Sequence, residues 1–148
     1  MIIDFLDEAY NKKSWHGPNL RSAIRGVAAQ EAAWRPTPGS HNIWELTLHV
    51  AYWKYVVTRR ITRARRGTFV LPGTNFFKRP VELSESAWKS DIAILETTHR
   101  NLRRAVHDAV TCLHRDALHL IRGAAAHDLY HAGQIRLLRR LFEVRSGA

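Results

Sequence analysis

The chain has 148 residues, with 23 lysines and arginines against 13 aspartates and glutamates, so its formal net charge is +10. This length predicts a single domain, residues 1–148, with a core of its own. The single cysteine, Cys112, excludes an internal disulfide and a cysteine-based zinc site. No apolar run approaches the roughly 20 residues of a membrane span. We therefore expect a cytoplasmic protein with no membrane association.

The first helical pattern covers residues 2–29 and is interrupted at residues 15–18, where a glycine and a proline should break or kink it. Its start is acidic, with Asp4, Asp7 and Glu8, whereas a secretory signal begins with basic residues. We expect this start to be helical.

The second helix is predicted to begin after Ser40, a good N-cap, and to run to about Arg66 before a loop at residues 67–83. One face of this helix has helical spacing and includes a histidine. It consists of Leu46, His49, Trp53, Val56 and Val57.

The third helix should begin near Ser84 or Ser86, and the fourth between Arg115 and Leu118. The stripe of the third contains Trp88, Ile92, Leu95, His99, Leu102, Val106, Ala109 and Leu113. The stripe of the fourth contains Leu120, Ala124, His127, His131, Ile135, Leu138 and Phe142. Four helical patterns without strand-like alternation predict an all-α bundle.

Three histidines therefore face the predicted interior. His127 and His131 are four residues apart on one helix face, and His49 lies on another helix. A buried histidine must satisfy two ring nitrogens and favours the neutral, metal-binding form. A shared divalent metal would satisfy all three, and three protein ligands leave an open position as in catalytic sites. The alternative is three core histidines with separate hydrogen-bond partners.

Residues beside these histidines allow two interpretations. Glu45, one turn before His49, and Gln134, three residues after His131, could each orient a ligand ring or could be polar packing residues. His99 is either a further group of the site or an interface histidine. Asp128 stands where a metalloprotease helix has its glutamate base, so a protease is not predicted.

The arginines cluster near two predicted helix ends. They favour either a solvated basic face or a surface that binds nucleic acid or another polyanion. No helix-turn-helix, zinc-finger or RNA-binding motif accompanies the charge, so we do not favour nucleic acid. The clusters are Arg59, Arg60, Arg63, Arg65 and Arg66, and Arg136, Arg139, Arg140 and Arg145.

Residues 41–53 and 126–139 resemble motifs of the DinB-like (YfiT-like) superfamily of metal-dependent enzymes, and residues 15–20 are similar to the helix 1 region of one branch. The resemblance implies a four-helix bundle in up-down-down-up order, often a homodimer. It also implies a zinc, nickel or iron ion held by His49, His127 and His131.

Characterised relatives include transferases and isomerases that use low-molecular-weight thiols such as bacillithiol or mycothiol. The resemblance thus implies a small-molecule substrate and thiol transfer, with hydrolysis as the second reaction class. A dimeric scaffold with a vestigial metal site is a further alternative. The segment at residues 110–118 is shorter than in many relatives, which puts substrate contacts there in doubt.

Overall fold

The structure is a computed structural model that describes residues 2–65, 67–109 and 115–145. Within these ranges the chain forms six helices and no strand, which confirms the all-α class. The up-down-down-up order stays a prediction. The helices are α1 (Ile2–Tyr10), α2 (Leu20–Ile24), α3 (Ala29–Ala33), α4 (Ile43–Thr62), α5 (Glu85–Ala109) and α6 (Arg115–Val144).

The N-terminal region is more broken than its apolar pattern predicts. Instead of one helix with a single interruption, it contains three short helices. Gly17 and Gly26 adopt φ values of 115° and 72°, a backbone conformation that glycine tolerates best. Asn19 then caps α2 by accepting a hydrogen bond from the Ser22 backbone N–H at 2.9 Å. The apolar residues of this region still pack in the core, because Leu20, Ile24 and Val27 are buried.

The predicted boundaries of α4 are wrong by a few residues at each end. Its N-cap is Asn42 and not Ser40, because the Asn42 side chain accepts a hydrogen bond from the Glu45 N–H at 2.8 Å. The helix ends at Thr62, where Arg63 takes a left-handed conformation with φ 52°, and does not reach Arg66.

The first residues of α5 and α6 agree with the predicted starts of these helices. Ser84 accepts a hydrogen bond from the Ala87 N–H at 3.1 Å as α5 begins, and α6 begins at Arg115. The stripe of α5 is largely buried, as predicted for its residues Trp88 to Ala109. Leu113, the last residue of that stripe, lies outside the described residues, as does Cys112.

Helix α4 is central to the packing, since it lies along α5 and also contacts α6. Helix α1 packs against α6. Trp44 and Trp88 pack together in the core, and the Trp44 indole N–H donates to Asp91 at 2.7 Å. The contact between α4 and α6 places the histidine of one helix against the pair on the other. None of the described helices has both the length and the apolar character needed to cross a membrane.

Candidate metal centre

The structure brings the three predicted histidines together. His49 comes from α4, and His127 and His131 come from neighbouring turns of α6. The His127 Nε2 atom lies 3.0 Å from the Nε2 atom of His49 and 3.0 Å from that of His131. One possible ligand atom from each residue lies within 4.8 Å of the other two, so this cluster, the histidine triad, could hold a metal ion.

Hydrogen bonds fix the tautomers of two of these rings. The Nδ1 atom of His49 lies 2.9 Å from the backbone oxygen of Asn75, and that of His131 lies 2.7 Å from Oε1 of Gln134. Both oxygens only accept hydrogen bonds, so each Nδ1 must carry a proton and donate it. In the neutral rings the Nε2 atoms of His49 and His131 are then unprotonated and present lone pairs to His127.

The protons available do not satisfy both contacts at the centre of the triad. A neutral His127 has at most one proton on Nε2, and that proton can serve only one of its two neighbours. At least one close nitrogen pair is therefore a contact between lone pairs, which a divalent cation would relieve. The donor set and its hydrogen bonds fit an ion bound by three imidazoles.

The electrostatics also favour neutral rings. Burial, together with the neighbouring histidines, lowers the pKa of His127 to about 3. Burial is also the main cause that lowers the pKa of His131 to about 4, and it lowers the pKa of His49. Near pH 7 all three rings are therefore neutral, which is the form that binds metal.

The two interpretations left open for Glu45 and Gln134 are resolved differently. The contact between Gln134 and His131 is confirmed. Glu45 follows the polar-packing interpretation, because its carboxylate accepts hydrogen bonds from Arg35 and His41 and from the Arg79 N–H. Although burial opposes ionisation, these bonds lower the pKa of Glu45 to about 2.

Asn75, from the loop between α4 and α5, is the residue that orients the His49 ring. It has a φ of 66°, and its backbone oxygen accepts a hydrogen bond from Nδ1–H of His49. Its side-chain oxygen also accepts a hydrogen bond from the Trp53 indole at 2.9 Å, which ties the loop to α4. A backbone acceptor leaves no mark in residue type, so the sequence reasoning missed it.

His99 does not join the triad, so the interface interpretation is the correct one. Its ring stacks on Tyr10 with centroids 3.5 Å apart. Burial, with a smaller effect of the Lys54 charge, lowers its pKa to about 3.

A buried ion pair next to the triad was not predicted. Lys54 and Asp128 are 1% and 0% exposed, and their Nζ and Oδ2 atoms are 2.5 Å apart. Burial is the main cause that lowers the pKa of Lys54 and raises that of Asp128 to about 6. The other carboxylate oxygen, Oδ1, has no hydrogen-bond partner among the described residues. The sequence signal for this pair was the position of Lys54 on α4, three residues from Ala51 and three from Val57, which are both buried.

Two cavities meet at the triad. One, of about 450 Å³, lies between α4 and α6, and the other, of about 670 Å³, lies towards Phe76, Tyr130 and the end of α6. His49 and His127 line both cavities. A small molecule could therefore approach the triad from either side.

The family model of the DinB superfamily matches residues 14–135. The chain belongs to the DinB superfamily. The matched range of this DinB protein includes the whole triad together with Asn75 and Gln134. No curated protein and no solved structure matches the chain. Family and triad together are compatible with metal binding.

Proposed function

We propose that this DinB protein is a divalent-metal-dependent enzyme that acts on small molecules. His49, His127 and His131 are the proposed ligands, and a further coordination position is left for a reactant. The observation that carries the proposal is the convergence of three Nε2 atoms. The protons that neutral rings can place there do not make both close nitrogen pairs into hydrogen bonds.

The neighbouring residues would prepare this site before any ion binds. Asn75 and Gln134 hold the outer nitrogens of two rings, and so direct their Nε2 lone pairs to one point. Imidazole donors suit zinc, nickel and iron. When bound, such an ion lowers the pKa of a thiol or water and supplies a nucleophile near neutral pH.

We propose thiol transfer to an electrophilic small molecule as the reaction, with hydrolysis as the second class. The family resemblance supports this order, and the two cavities offer separate space for a thiol and an electrophile. In such a transfer the sulfur forms a bond to carbon, the leaving group departs with its electron pair, and the thiol proton passes to solvent.

The reaction can be tested with 1-chloro-2,4-dinitrobenzene and cysteine, bacillithiol or mycothiol as the thiol. We expect the zinc-, nickel- or iron-loaded parent to form the thioether faster than the uncatalysed reaction, and the His49→Ala protein not to do so. Metal-loaded parent that accelerates none of these reactions would contradict thiol transfer. Hydrolysis of p-nitrophenyl acetate, measured in parallel, tests the second class.

The polyanion-binding alternative has the net charge in its favour, but several arginines form ion pairs with acidic residues of the protein. The ion pairs are Arg35–Glu45, Arg79–Asp91, Arg103–Asp7 and Arg139–Glu31. The homodimer and the cytoplasmic location stay predictions.

A further inference from the structure

The cavity between α4 and α6 is an elongated groove with the histidine triad at one end. Its lining runs from His49 to Arg60 on α4, which spans about 16 Å at 1.5 Å per helical residue, and from His127 back to His119 on α6, about 12 Å. Arg60 and His119 thus line the end of the groove that is farthest from the triad. We call this cavity the α4–α6 groove.

The two ends of the groove differ in chemistry from its middle. Its middle is apolar and is lined by Val56, Val57, Leu120 and Ala124. The Lys54 and Asp128 side chains in its wall pair with each other and leave no net charge there.

The far end is open and basic. Arg60 and His119 are exposed, and no hydrogen bond or ion pair joins either side chain to another described residue. An arginine side chain offers a rigid fork of donors that matches a carboxylate.

A glycine leaves the groove open half-way along its α6 side. Gly123 lies inside the helix and lines the groove, and a Cβ atom built on it would meet nothing within 4 Å. Glycine inside a helix is unfavourable relative to alanine. Here its missing side chain leaves space in the apolar middle of the groove, beside Leu120 and Ala124.

We propose that the α4–α6 groove binds an elongated small molecule with an apolar body and one terminal carboxylate. The carboxylate pairs with Arg60 and His119, the body lies along the valines and Leu120, and the opposite end reaches the triad. The inference rests on the proposed function only at the triad end, because the basic end binds its partner whether or not a metal is present.

The carboxylate end is tested with octanoate and its neutral analogue 1-octanol, by calorimetry on the full-length, metal-stripped protein. We expect octanoate to bind about tenfold more tightly than octanol, and Arg60→Ala to remove about that advantage. Arg122→Ala is the matched control, since Arg122 is an exposed arginine of α6 that does not line the groove. Equal binding of octanoate and octanol, or equal losses in the two arginine variants, would overturn the inference.

The path of the apolar body is tested by filling the groove. Gly123→Leu places a side chain in the open space and favours the helix, so we expect unchanged helicity and at least about a tenfold loss of octanoate affinity. Gly133→Leu is the control, because Gly133 has the same free space in α6 but lines neither cavity. Octanoate that binds the Gly123→Leu protein as tightly as the parent would contradict this path.

A third ligand separates this inference from the proposed function. 8-Mercaptooctanoate should bind the zinc-loaded parent more tightly than octanoate does, because its thiolate reaches the triad. If octanoate binds through Arg60 but the thiol adds nothing, the groove is supported and the reactive position at the triad is not. If the thiol binds but the carboxylate adds nothing, the groove inference fails and the metal site stands.

Discussion

Zinc should stabilise the parent protein against thermal unfolding and should leave a His127→Ala protein nearly unchanged. A ligand that binds only the folded state at one hundred times its dissociation constant contributes about 2.7 kcal/mol. For a chain of this size that corresponds to a rise of about 5–10 °C in the unfolding midpoint. The measurement is a thermal melt of both proteins with and without zinc.

The reason for this contrast is the central position of His127. Its Nε2 atom lies 3.0 Å from both other Nε2 atoms. Its removal leaves only two donors, which are too few to hold an ion stably. The unliganded variant should be close to the parent in stability, since the lost ring takes part in at least one unfavourable nitrogen contact. His107→Ala, which removes an exposed histidine of α5, controls for zinc binding elsewhere. Equal zinc stabilisation of the parent and His127→Ala would contradict these ligand assignments.

Replacing Lys54 alone should be among the most destabilising substitutions in the chain. Lys54→Met leaves the Asp128 carboxylate buried without its partner, and breaking a buried pair in this way costs about 3–5 kcal/mol. Oδ1 of Asp128 already has no hydrogen-bond partner among the described residues, so no neighbour is in place to compensate. The free energy of unfolding, from urea titration at pH 7, measures the effect.

The double variant Lys54→Met/Asp128→Leu tests the cause. With both charges removed, apolar side chains fill the site and most of the lost stability should return. Arg21→Met is the comparison, because Arg21 and its partner Glu96 are 33% and 42% exposed, and the loss of this pair should cost about 1 kcal/mol or less. A double variant no more stable than Lys54→Met would show that the loss comes from packing and not from an unpaired charge.

Helical periodicity was sufficient to predict the helices that build the site. It placed His49, His127 and His131 on inward faces, because the side chains of an amphipathic helix repeat with its turn. It failed at residues 2–29, where Gly17 and Gly26, both with positive φ, lie between short helices. An apolar stripe indicates which residues are buried. In this segment it did not indicate whether the backbone between those residues was helical.

The surroundings of the triad were harder to predict, because they depend on contacts distant in sequence. Gln134 was found since it lies on the same helix as its partner, one turn away. Asn75 was missed because a loop brings its backbone oxygen to His49 from 26 residues away. The role of Glu45 stayed open because Arg35 and Arg79, which bind it, come from segments with no helical pattern.

The most direct test of the metal-centre proposal is elemental mass spectrometry of untagged protein purified without added metal, alongside the His49→Ala and His131→Ala variants. We expect close to one zinc, nickel or iron ion per parent chain and almost none in either variant. Parent protein that contains no metal, and takes up none when supplied with zinc, nickel, iron or manganese, would contradict a metal centre at the three histidines.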